Sequence, residues 1–164
     1  MTDLATLYDT DYRQWAQRNA ELLQMRRFEE LDIAHLLEEL SDMSKSDRRE
    51  LHSRLLVLLA HLLKWQFQYH NLAERWRDFD GRSWRATIIE QRKQLAMLLK
   101  QSPGLKAAIE ETIAAVYPDA VDLALKETRL PLEIFPSVCP YSRAQVFDDD
   151  FYPAASHAEK TRYD

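Results

Sequence analysis

LLVLLAHLLKW, residues 55–65, is the stretch that decides the fold, and only His61 and Lys64 interrupt its apolar run. A helix this apolar on nearly every side must be surrounded by protein, so it marks the centre of the molecule. Beyond it, Leu51, Leu55, Leu58, Leu62, Trp65 and Tyr69 recur in steps of four and three. That is the spacing of a packing seam between close helical neighbours. Leu56, Leu59 and Leu63 add a second stripe. The pattern predicts one helix over 47–69 with Leu55, Leu58, Leu62 and Trp65 in the core.

Towards the N-terminus, Thr10 or Asp11 can cap a first helix that carries Tyr12, Trp15, Asn19 and Leu22 on one face. It should fade over 24–27, where no Gly marks a stop. Asp32 can cap a second helix with Ile33, Leu36, Leu37, Leu40 and Met43 as its apolar side. SDMSKSD, residues 41–47, reads as a polar break, so the second and third helices are expected to run antiparallel.

Towards the C-terminus, residues 70–83 read as a connection that can hold a helical turn, and Ser83 as the cap of a helix reaching Gln101. Its inner line is Trp84, Ile88, Gln91, Leu95 and Leu98. Ser102-Pro103 is a helix start, with Pro at the first helical position. Pro118 should break or kink that helix, leaving a further one over 119–128. In LPLEIFPSVCPYS, residues 130–142, three prolines forbid a helix, yet Leu132, Ile134, Phe135 and Val138 are too apolar for a free linker. An ordered extended arm is expected, then a short helix capped by Ser142 and ending near Phe147. The expected architecture is one all-α domain over 1–153, a bundle of five or six helices with the Pro-rich C-terminal arm packed across it. Residues 154–164 should be frayed.

Composition agrees. The 164 residues are 46% hydrophobic and 30% charged, and hold two Gly, far too few for the turns of a sheet protein. The net charge of −5 argues against a dedicated nucleic-acid or membrane-surface protein, although Arg75–Lys100 is locally basic. One cysteine, Cys139, excludes an internal disulfide and any multi-Cys metal site. The start, MTDLATLYDTDYRQW, lacks the pattern of a signal peptide, and no apolar run nears the roughly 18 residues of a membrane span. A cytoplasmic location is the default expectation.

Glycine-rich phosphate loops, HExxH, GxSxG and paired CxxC motifs are absent from the sequence. His35, Glu38, Glu39 and Asp42 share one side of a helix at spacings that carboxylate-bridged metal centres use. No second Glu-x-x-His exists to complete such a centre, so neither metal nor cofactor is expected. His52 sits beside Arg48 and Arg49, and His70 and His157 fall in connecting or terminal segments. His61 is the most informative ionisable residue, because an imidazole in an apolar run must find a partner. With antiparallel neighbours, Glu38 or Glu39 could reach it, either as a structural bond or as a general base. Lys64 lies one turn on, and Gln91 and Arg92 are polar on an otherwise apolar helix. Glu38, Glu39, His61, Lys64, Gln91 and Arg92 therefore form the candidate buried polar cluster.

LYDTDYRQWAQRNAELL, FEELDIAHLLEEL, LLAHLLKW, SWRATIIEQR, SPGLKAAIEE, ETRLPLEIFPSVCPYS and DDDFYP follow one another in order. In this the chain resembles, over about 7–153, the uncharacterised bacterial family called domain of unknown function 29. The resemblance implies an all-helical domain and brings no activity. The family pattern matches at Glu38, Glu39, His61 to Trp65, Ser83-Trp84, Gln91-Arg92 and Glu127-Thr128. It departs at His35, where Asn is typical, and at Arg26, where Gly is usual. The departure at His35 weakens a metal site built on that residue, and that at Arg26 implies a less sharp end to the first helix.

Together these readings favour a non-enzymatic helical module that binds a protein partner or a second copy of itself. An enzyme using a Glu/His pair, with Lys64 or Arg92 as a nearby cation, and a nucleic-acid binder using Arg75–Lys100 are the alternatives.

Overall fold

A computed structural model describes residues 3–76 and 80–155. The expected fraying of 154–164 falls mostly outside them, as does His157. The described residues are all-α, without a strand: α1 (Leu4–Thr10), α2 (Tyr12–Gln24), α3 (Ile33–Lys64), α4 (His70–Arg75), α5 (Arg82–Gln101), α6 (Ile109–Thr128) and α7 (Arg143–Phe147), with short 3-10 turns between some of them. The chain divides into two compact units, Met1–Ser46 and Asp47–Asp164.

In the first unit α1 was not foreseen from the sequence. Asp11 caps α2, its carboxylate accepting from the Gln14 N–H at 3.0 Å. The end of α2 is sharp despite the absence of Gly. Arg26 takes a left-handed φ of 58°, and the Arg26 and Arg27 N–H groups donate to the Leu23 and Leu22 carbonyls. This closing pattern satisfies the last carbonyls of a helix and normally favours Gly, so here an arginine carries the strain. Of this unit's described residues only Leu7, Trp15 and Asn19 are buried.

The polar break expected at 41–47 does not form: α3 runs unbroken from Ile33 to Lys64. Ser and Asp are only weakly unfavourable in a helix, by a few tenths of a kcal/mol each, and no Gly or Pro is present to stop it. The antiparallel pair of helices inferred from that break therefore does not exist.

The second unit holds the core. Leu55, Leu58, Leu59, Leu62 and Leu63 of α3 are wholly inaccessible, as the opening stretch requires, whereas Trp65 is half-buried against them. They pack with Ile88, Leu95 and Leu98 of α5, with Ile109, Val116 and Ala120 of α6, and with Phe135, Tyr141 and Val146. After Lys64 the helix widens into one π turn, Trp65–Tyr69, which lays the Trp65 and Tyr69 rings on each other at 4.2 Å and 9°. Gly81, not Ser83, precedes α5. It has φ +65°, and a Cβ there would fall 2.5 Å from the Tyr69 ring, so both backbone and space demand glycine.

Pro118 does not break α6, which continues through it. Proline leaves the Ala114 carbonyl without its helical donor, but Ala114 and Pro118 are both exposed, so water can serve it. The arm is placed as expected, with one 3-10 turn at Leu132–Ile134. Phe135 and Tyr141 anchor it, the Tyr117 hydroxyl donates to the Pro136 carbonyl at 2.6 Å, and Ser142 and Gln145 form the capping box of α7. Leu132 and Val138, expected to pack, are exposed.

Candidate functional site

Within the second unit, His61, Lys64, Gln91 and Arg92 each have partners. The Lys64 side chain is 8% exposed; its Nζ lies 2.6 Å from Glu127 Oε2 and 4.5 Å above the Trp84 ring. One turn earlier, His61 Nδ1–H donates to the Val57 carbonyl of its own helix at 2.8 Å. That bond fixes the tautomer and leaves Nε2 as the basic nitrogen. Burial, reinforced by Lys64, holds the His61 pKa below its ordinary value and so favours the neutral ring. Gln91 accepts from Arg54 at 3.5 Å. Arg92 is buried. Its Nε and Nη2 donate to the Val146 and Gln145 carbonyls, and Nη1 has no partner, so this cation holds the last turn of α7.

The expected bond from His61 to Glu38 or Glu39 is not made. One continuous helix carries all three, and residues about six turns apart on a single helix cannot face each other. Glu38 is exposed. Glu39 accepts from the Tyr8 and Tyr12 hydroxyls at 2.6 and 2.8 Å, and those bonds hold its carboxyl below the usual range.

The sequence reading missed the network to which Glu39 belongs. Asp32 accepts from the Trp15 indole at 2.9 Å and from His35 Nδ1–H at 2.6 Å, and His35 stacks on Tyr8 at 4.0 Å. Burial pushes Asp32 up, but the hydrogen bonds from Trp15 and His35 outweigh it and bring its pKa below normal. The bond to Asp32 raises His35 in turn. Asn19 closes the network, donating to the Trp15 carbonyl and accepting from the Asp32 N–H. His35 is thus a structural partner, and among the described residues no group of His, Cys, Asp or Glu could hold a metal ion.

A cleft of about 540 Å³ separates α6 from the arm, with Tyr117, Cys139, Tyr141 and Arg143 in its wall. Burial raises Tyr117 to about 12 and also pushes the Cys139 thiol up. Neither is set for catalysis near neutral pH, and His61 does not line this cleft. The basic segment is also partly spent: Arg92 is buried, Arg82 pairs with Asp80, and Arg85 lies over Tyr152.

The most conspicuous surface is on the first unit. Ile33, Leu37, Leu40 and Met43, expected as the inner side of a bundle helix, are 51–63% exposed, and Leu36 beside them is half-buried. They follow helical steps of three and four, so they form one apolar stripe along the first turns of α3. Tyr12, Leu23, Met25 and Phe28 are exposed as well. Met1–Ser46 contains ten Asp/Glu against five Lys/Arg, whereas Asp47–Asp164 is balanced at seventeen each. The whole net charge of −5 therefore resides in the unit that carries the apolar stripe.

Among the described residues no helix is long and apolar enough to cross a membrane. No curated protein and no solved structure matches the chain. The family described as "Domain of unknown function DUF29" matches it over residues 7–152, and the chain belongs to that family.

Proposed function

We propose that this protein is a helical interaction module, and that its working surface is the α3 stripe of the first unit. The observation that carries the reading is the exposure of Ile33, Leu37, Leu40 and Met43 along one helix face. Single exposed apolar residues are ordinary, but a contiguous stripe at helical spacing is the surface a partner helix covers. The enzyme reading has less support, because its Glu/His pair is absent and the titratable groups near the α6 cleft are pushed away from neutrality.

A photo-crosslinking residue at position 40, in cells expressing the full chain, tests the module. A discrete protein adduct should form there and be lost when Leu37 is also replaced by Ser. The same probe at Met97, an exposed apolar position of the second unit, should give none. Equal labelling at both positions would contradict the reading.

A further inference from the structure

We infer that the occupant of the α3 stripe is a cationic amphipathic helix of another protein, and not a second copy of this chain. The inference rests on the reading of that stripe as a docking face. Two independent features define the occupant. The spacing of Ile33, Leu37 and Leu40, and of Leu36, Leu40 and Met43, presents knobs in steps of four and three. Such knobs are matched by the apolar side of a helix with the same spacing.

Charge selects among helices. The unit as a whole bears −5. Glu38 and Asp42 stand on the far side of α3 from the stripe, so the selection comes from the net charge of the unit and not from acids beside the stripe. Two copies meeting through this face would bring two such net charges together and would be opposed by their repulsion. A helix with Lys or Arg around its apolar face gains attraction and faster encounter from the same field. Anionic lipid and nucleic acid are repelled for the reason that repels a second copy. Met43 suits the role, because an unbranched thioether adapts to different apolar partners.

The test uses the full chain and three labelled synthetic peptides, read by fluorescence anisotropy. The first has leucines at i, i+3, i+4 and i+7 with lysines elsewhere. The second keeps that pattern with glutamates for lysines, and the third scrambles the first. The cationic amphipathic peptide should bind at least about tenfold more tightly than either of the others, and should weaken as salt is raised. The double variant Leu37→Ser, Leu40→Ser should lose about tenfold or more, with an unchanged circular dichroism spectrum. Equal binding of the cationic and acidic amphipathic peptides would overturn the charge selection and leave the docking face intact. Equal binding of the amphipathic and scrambled cationic peptides, unaffected by the double variant, would overturn both. A concentration-dependent dimer in sedimentation, abolished by the double variant, would replace the cationic helix with a second copy.

Discussion

The two units are built on opposite principles. In Asp47–Asp164 leucines of α3, α5 and α6 meet in a water-free core, and polar groups such as Lys64 and Arg92 enter it with partners. Among the described residues of Met1–Ser46 two apolar side chains and one Asn are buried, and the helices are joined by hydrogen bonds that converge on Asp32 and Glu39. Eight of the thirteen large apolar residues exposed among the described ones belong to this smaller unit. A segment of such size buries too little of its own surface to be strongly stable. The difference teaches that the apolar content of the first unit is not spent on its own fold. It remains available for something else to cover.

The largest expected effect lies in the second unit. Leu58→Ala should cost about 2–5 kcal/mol in urea unfolding, through lost transfer energy and a cavity. Leu37→Ala, the same change in the first unit, should stay within about 0.5 kcal/mol, because the side chain is already in water. Comparable losses would erase the contrast.

The buried ion pair should be asymmetric. Glu127→Gln leaves the Lys64 ammonium buried without its counter-charge and should cost about 2–3 kcal/mol. Lys64→Met leaves a carboxylate whose side chain is 40% exposed and can turn to water, so about 1 kcal/mol is expected. Urea curves in the reverse order would mean that Lys64, too, reaches solvent.

In the first unit the hydrogen bonds matter most. Asp32→Ala should cost about 1–2 kcal/mol, removing the acceptor of the Trp15 indole together with the start of α3. Amide exchange in α2 should quicken while that of α5 does not. Arg26→Gly should stabilise the same unit by about 0.5–1 kcal/mol, because glycine accepts the left-handed φ without strain.

The smallest effect is one of pH, and its sign differs between the units. The His35 pKa is raised in the fold, so its contribution is full below the ordinary histidine value of about 6.5 and is lost as pH rises through the folded value. The His61 pKa is lowered, so the second unit instead loses stability as pH falls through that ordinary value. NMR titration of the two imidazoles should place His35 above about 6.5 and His61 below it.

Much of the core was legible because burial on all sides leaves a mark in the sequence: the apolar run of 55–63, broken only by His61, needed no partner to be identified. The cap at Ser142 and the ordered Pro-rich arm were legible from local residue chemistry; the reciprocal bond from Gln145 was not foreseen. The break at 41–47 was misread because serine and aspartate lower helix propensity without forbidding the helix. Pro118 was misread because whether a proline stops a helix depends on water at the orphaned carbonyl, a tertiary fact. The Asp32 and Glu39 network was hidden because it joins residues far apart in sequence, Tyr8 to Glu39 and Trp15 to Asp32. The α3 stripe was seen as apolar and placed inside, since periodicity reveals an apolar face but not what covers it.

The central claim is that the α3 stripe is a docking face for a cationic helix, and methionine methyl NMR tests it most directly. Met43 lies on the stripe, whereas Met97 is exposed on the second unit. As the cationic amphipathic peptide is added to the full chain, the Met43 methyl should shift saturably and Met97 should not move. A Met43 signal that stays fixed at saturating peptide, or one that moves no more than Met97, would contradict the account.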